Sequence, residues 1–101
     1  MEKFTYLEEK VYLTLGDKGK KSKEIQRELG IDSRALEQIV HDLRLKGVRV
    51  CSGNSGYWIS RGDGKDWEHT KALLWARIKS SYQLLKAMEN APSDDQIRME
   101  I

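Results

Sequence analysis

A chain of 101 residues, 39% hydrophobic and 34% charged, is sized for one small globular core rather than for a disordered or membrane-spanning chain. Eighteen Lys and Arg against sixteen Asp and Glu leave a formal charge of only +2, so global charge does not announce a nucleic-acid binder. The single cysteine, Cys51, excludes an internal disulfide; with no apolar leader in Met1-Glu2-Lys3-Phe4, a cytoplasmic protein with no membrane partner is expected.

Along the chain the first predicted element is a helix over residues 5–15, in which Leu7, Val11 and Leu15 form one apolar stripe with Tyr12 beside it. Residues 16–21, GDKGKK, break it as a basic loop. Ser22 is the expected N-cap of a short second helix that faces Ile25 and Leu29 inward and stops at Gly30. Ile31 plugs the turn, and Asp32 caps a third helix over residues 33–46, whose inward residues are Leu36, Ile39, Val40 and Leu43. After Gly47 the period changes from helical to alternating. Val48-Arg49-Val50, the turn Gly53-Asn54-Ser55-Gly56 and Tyr57-Trp58-Ile59 predict a β-hairpin over residues 48–60. RGDGKD at 61–66 then breaks the chain before a long helix from about Trp67 to Asn90, ended by Pro92. Ser93 and Gln96 have capping-box spacing, and a flexible tail is expected over 92–101.

Mainly α with one small β-hairpin is the expected fold class, in the element order of a winged helix. The stretch ELGIDSRALEQIVHDLRLKGVRVCSGNSGYWI resembles the N-terminal winged helix-turn-helix domain of biotin-operon repressors and related small phage and bacterial proteins. Leu29-Gly30-Ile31, the capped helix through Leu36, Ile39 and Leu43, Leu43-Arg44-x-x-Gly47-Val48 and Gly56-Tyr57 carry the likeness. It covers about residues 5–60. The resemblance implies a winged helix-turn-helix domain over 1–62 that binds duplex DNA, as a transcriptional regulator or phage DNA-transaction accessory; the long helix over 63–91 lies beyond it and rests on the chain's own pattern.

With Leu36, Ile39, Val40 and Leu43 facing inward, 100° per residue puts Arg34, Gln38, His41 and Leu45 outward, with Ser33 at the exposed N-terminus. Arg34 suits guanine and Gln38 adenine in the major groove, while His41 could reach a phosphate or a base edge. Ser33 and the amides after Asp32 suit a phosphate. Lys18, Lys20, Lys21 and Lys23 before the second helix, and Arg49, Asn54 and Ser55 in the hairpin, would make sequence-blind backbone or minor-groove contacts. From Asp17 to Arg49 there are nine Lys and Arg against six Asp and Glu, which places any basic surface in the first two thirds of the chain. Glu37 and Asp42 flank the contact strip and would repel phosphate. A winged-helix adaptor that binds protein only is therefore the alternative.

Cys51, His41 and His69 lack ligand spacing, and GDGKD lacks the spacing of a phosphate loop, so no metal, cofactor or enzymatic activity is expected. Asp63 and Asp66 fit a helix start. In the long helix, Trp67, Leu74, Ile78, Leu85 and Met88 follow coiled-coil intervals, and Trp75 and Tyr82 lie on an adjacent face. The first half, through Ile78, is expected to fold back on the first helix. Trp75, Ile78, Tyr82, Leu85 and Met88 are expected to form a homodimer.

Overall fold

The computed structural model describes residues 3–93. Residues 94–101, and with them most of the expected tail and the Ser93/Gln96 cap, lie outside the described residues. The chain divides into two compact units, Met1–Thr70 and Lys71–Ile101. Among the described residues the fold is mainly helical with one two-stranded antiparallel hairpin. The order is α1 (Tyr6–Thr14), α2 (Ser22–Leu29), α3 (Ser33–Leu45), β1 (Val50–Gly53), β2 (Gly56–Ile59) and α4 (Lys65–Glu89). No helix among the described residues is long and apolar enough to cross a membrane.

Local signals account for most element ends. Thr5 caps α1 through a capping box with Glu8, and Gly30 closes α2 in the left-handed conformation (φ 65°). The Asp32 carboxylate accepts from the Ala35 N–H at 2.8 Å and caps α3. Ser22 is not a cap: Lys21 occupies that position, and Ser22 is the first helical residue, its Oγ accepting from Gln26 Nε2 at 2.9 Å. The reason lies just upstream. Lys20 is paired with Tyr57 across an antiparallel bridge, so the chain leaves extended backbone and enters the helix without a free turn in which a serine could cap.

Val11, Leu15, Ile25, Leu36, Ile39, Val40, Leu43, Val50 and Ile59 form the core. All four residues expected inward on α3 are buried. Leu7 is not. It is 38% exposed, and the inward place one residue on is taken by Glu8, 4% exposed. A carboxylate is tolerated there because Lys46 Nζ reaches Glu8 Oε1 at 2.5 Å, and the same oxygen accepts from the Thr5 N–H at 2.9 Å. Leu7 is thus left at the surface.

The first strand starts at Val50, not Val48. Val48 N–H is turned back to the Leu43 carbonyl (3.0 Å) as part of the end of α3, and Val50 then pairs with Ile59. Alternation gives the hairpin two working faces. Val50, Ser52, Tyr57 and Ile59 share one; Val50 and Ile59 belong to the core, and Tyr57 packs against it. Cys51 and Trp58 share the other. Cys51 is fully buried, and its burial pushes the thiol pKa up.

Trp58 joins the hairpin to the start of α4. Its Nε1–H donates to Asp66 Oδ2 at 2.7 Å, while Ser60 Oγ (2.6 Å) and the Trp67 N–H (2.8 Å) donate to Oδ1. These bonds, Ser60's foremost, hold the Asp66 carboxyl below the usual aspartate range. A lowered folded-state value contributes stability above the ordinary value of 3.8 and loses it as pH falls through the folded one. Asp66→Asn is therefore expected to lower the melting temperature at pH 7. Its deficit relative to the parent should shrink steadily below pH 4, read by melts at several pH values.

Burial along α4 ends at Thr70, short of the Ile78 expected. From Lys71 to Ser93 every residue is exposed.

Candidate nucleic-acid interface

On α3, Ser33, Arg34, Gln38, His41 and Leu45 are all exposed, opposite the four buried residues. Capping defines the start of this strip, since Asp32 ties the first turn to its own carboxylate. That carboxylate takes up the Ala35 amide, one of those expected to receive a phosphate. Arg34 and His41 form no side-chain hydrogen bond or ion pair among the described residues. The Gln38 amide is engaged by Asp42, Nε2 to Oδ1 at 3.0 Å, which leaves its carbonyl oxygen as an acceptor.

Beside the strip stands the hairpin. Burial raises the Tyr57 hydroxyl pKa, the Glu37 carboxylate adds to the rise and Arg44 opposes it, so all three groups sit within electrostatic reach. Arg44 Nε donates to the Val50 carbonyl at 2.8 Å and Nη2 to Ser52 Oγ at 3.3 Å. Arg44 thereby clamps α3 to β1 and fixes the hairpin against the helix. Sequence reasoning misses this role, because an arginine in the last turn of a helix carries no local signal of it.

The lysine-rich loop is not a free arm. Lys20 N–H donates to the Tyr57 carbonyl (2.8 Å), Tyr57 N–H returns to the Lys20 carbonyl (2.9 Å), and Ile59 N–H donates to the Gly16 carbonyl (2.9 Å). The loop thus runs along β2 as a short third line of pairing. Lys21 Nζ bonds the Asn54 carbonyl at the hairpin tip, and Gly19 lies against Ser55. Loop and tip therefore form one surface. Two of the expected cations are engaged within the protein: Lys20 pairs with Glu28 at 2.5 Å, and Lys21 holds the tip. Lys18, Lys23 and Arg49 are exposed and form no ion pair among the described residues. Arg27, on α2, is exposed as well and lines a shallow groove with Lys23, Gln26, Gly30 and Ile31. The sequence hides it, because Glu24 and Glu28 stand on either side.

Comparison with protein-family models, curated proteins and solved structures found no match. Among the described residues no group of three His, Cys, Asp or Glu is placed to hold a metal ion. The surface that remains is a polar helix strip with Arg34 and His41 turned outward. It is flanked by a hairpin whose tip is fastened to a basic loop. Such an arrangement offers guanidinium donors and an amide acceptor to a flat, anionic or hydrogen-bonding partner.

Proposed function

We propose that the chain is a winged helix-turn-helix protein that binds double-stranded DNA with sequence preference, with α3 in the major groove and the hairpin on the backbone or minor groove. The observation that carries this reading is the division of α3. One side is locked into the core by Leu36, Ile39, Val40 and Leu43, and the other presents Arg34, Gln38 and His41 to the outside. A helix so presented fits the width of the major groove, and Arg34 is the side chain for a bidentate contact to guanine. Lys18, Lys23 and Arg49 would contact phosphates and set register. The biological setting in keeping with this is transcriptional regulation or an accessory step in phage DNA handling, in the cytoplasm.

Fluorescence anisotropy on duplexes selected from a random pool tests it. Affinity should fall linearly with salt on a log–log plot, and Lys23→Ala or Arg49→Ala should reduce that slope by about 1 while weakening all sequences alike. Arg34→Ala should cost about 1–3 kcal/mol at one base position and relax the preference there. Absence of duplex binding at low salt would instead favour a protein-binding adaptor, a reading to which the acidic Glu37 and Asp42 beside the strip lend weight.

A further inference from the structure

The least explained surface is on α4 beyond Thr70. Leu74, Trp75, Ile78, Tyr82, Leu85 and Met88 are between 47% and 65% exposed there, along one side of a regular helix. An apolar stripe of that length on a helix in water needs a cover. We propose that the cover is α4 of a second copy, paired antiparallel, in the register that sets Leu74 opposite Leu85 and Ile78 opposite Ser81. The proposal is independent of DNA binding.

A second copy fits because the stripe complements itself. Lys71, Leu74, Ile78, Ser81, Leu85 and Met88 are spaced 3, 4, 3, 4 and 3 apart, the seam of a two-helix coiled coil. Ser81 breaks the apolar run, and Lys71 and Glu89 lie at its two ends. In a parallel pair each layer meets its own copy. Ser81 would face Ser81 at the centre, leaving a gap with two hydroxyls, and Lys71 would face Lys71. Reversing one helix removes both conflicts. The small Ser81 receives the branched Ile78 of the other copy, and Leu74 meets Leu85. Lys71 lies beside Met88, whose flexible thioether packs on the lysine stem, with Glu89 next to its ammonium. Flanking the seam, Trp75 and Tyr82 come opposite one another on each side of the two-fold axis, an aromatic pair formed twice. The opposed helix dipoles favour the same orientation.

Covering those six apolar side chains on both copies removes on the order of 1,200 Å² from water, the lower end for a specific interface. A dimer dissociating in the micromolar range is therefore expected, visible by sedimentation of the full chain over a concentration series.

Charge exchange distinguishes the orientations. Lys71→Glu places a second carboxylate beside Glu89 of the other copy and should weaken the antiparallel dimer several-fold. The double change Lys71→Glu with Glu89→Lys should restore it. In a parallel pair position 71 meets its own copy, so like charges face each other before and after either change. Leu85→Lys should weaken association on the order of 100-fold, since the lost contact occurs twice. Its far-ultraviolet circular dichroism checks that the helices persist. In a Cys51→Ala background, oxidation of mixed Lys71→Cys and Met88→Cys chains should give the cross-linked heterodimer. Met88→Cys alone should not cross-link, because its two copies lie about 25 Å apart along the helix axes. A chain that stays monomeric throughout the series, a dimer indifferent to Lys71→Glu, or self-cross-linking of Met88→Cys would each overturn the proposal.

Discussion

Gly56→Ala is expected to cost the folded domain about 3 kcal/mol and to lower its melting temperature by roughly 15 °C. Gly56 opens β2 at φ 103°, a conformation that strains any residue with a Cβ. A Cβ there would overlap the Lys20 carbonyl group and lie 2.8 Å from the Lys21 nitrogen. No side chain can yield, because the obstruction is backbone. The chain must give up either the left-handed turn or the Lys20–Tyr57 bridge, whose two hydrogen bonds pin the loop along the hairpin. Gly16→Ala is the matched control. Gly16 has no positive φ, and a methyl group added to it would meet nothing within 4 Å, so its variant should stay within about 0.5 kcal/mol of the parent. Denaturant titration of both variants decides the matter. If Gly56→Ala melts like Gly16→Ala, the loop is not held by that bridge.

The second large effect concerns the charge inside the core. Glu8→Ala should destabilise the chain by about 3 kcal/mol at pH 7, because it removes the partner of Lys46 and the acceptor of the Thr5 N–H at once. Replacing both members, Glu8→Leu with Lys46→Met, should recover most of the loss, since two apolar side chains leave no uncompensated charge. The pair also predicts a pH dependence. The hydrogen bond from Lys46, then that from Thr5, lower the Glu8 pKa in the folded state against the opposing effect of burial. A lowered value means that the unfolded chain binds the proton more readily. Glu8 therefore contributes fully above the ordinary glutamate value of about 4.3, and the contribution fades as pH drops below that. Melts between pH 7 and pH 3 should show the parent losing stability on the acid side more steeply than the double variant. Equal acid slopes would remove the pair from the explanation.

How much of this is legible in the sequence differs element by element. α2, its left-handed Gly30 and α3 with its Asp32 cap are readable because each signal acts within one or two turns. The outward strip of α3 follows from the same periodicity, since four buried residues on one face leave Arg34, Gln38 and His41 on the other. The inward face of α1 misleads at Leu7, because a carboxylate is a poor candidate for a core position. What makes Glu8 acceptable is Lys46, 38 positions away. The basic loop reads as a helix break whose lysines are all offered to a nucleic-acid backbone. The ladder to Tyr57 and the bonds to Glu28 and Asn54 come from separate parts of the chain. Arg44 gives no sign of its clamp on β1, because a lone arginine in a last helical turn most often faces solvent.

Caps and periodicities act between near neighbours, and they suffice for the order of helices and hairpin, for where α3 begins, and for which of its residues face inward. Closure of the chain settled the rest of the candidate surface. It assigned Lys20, Lys21 and Arg44 to internal bonds while leaving Lys18, Lys23, Arg34 and Arg49 outward. It also bridged the basic loop to β2 at Lys20, buried a carboxylate beside the core, and ended burial on α4 at Thr70. Each of those outcomes depends on a partner brought near only when the chain folds onto itself, and no local pattern encodes the identity of that partner.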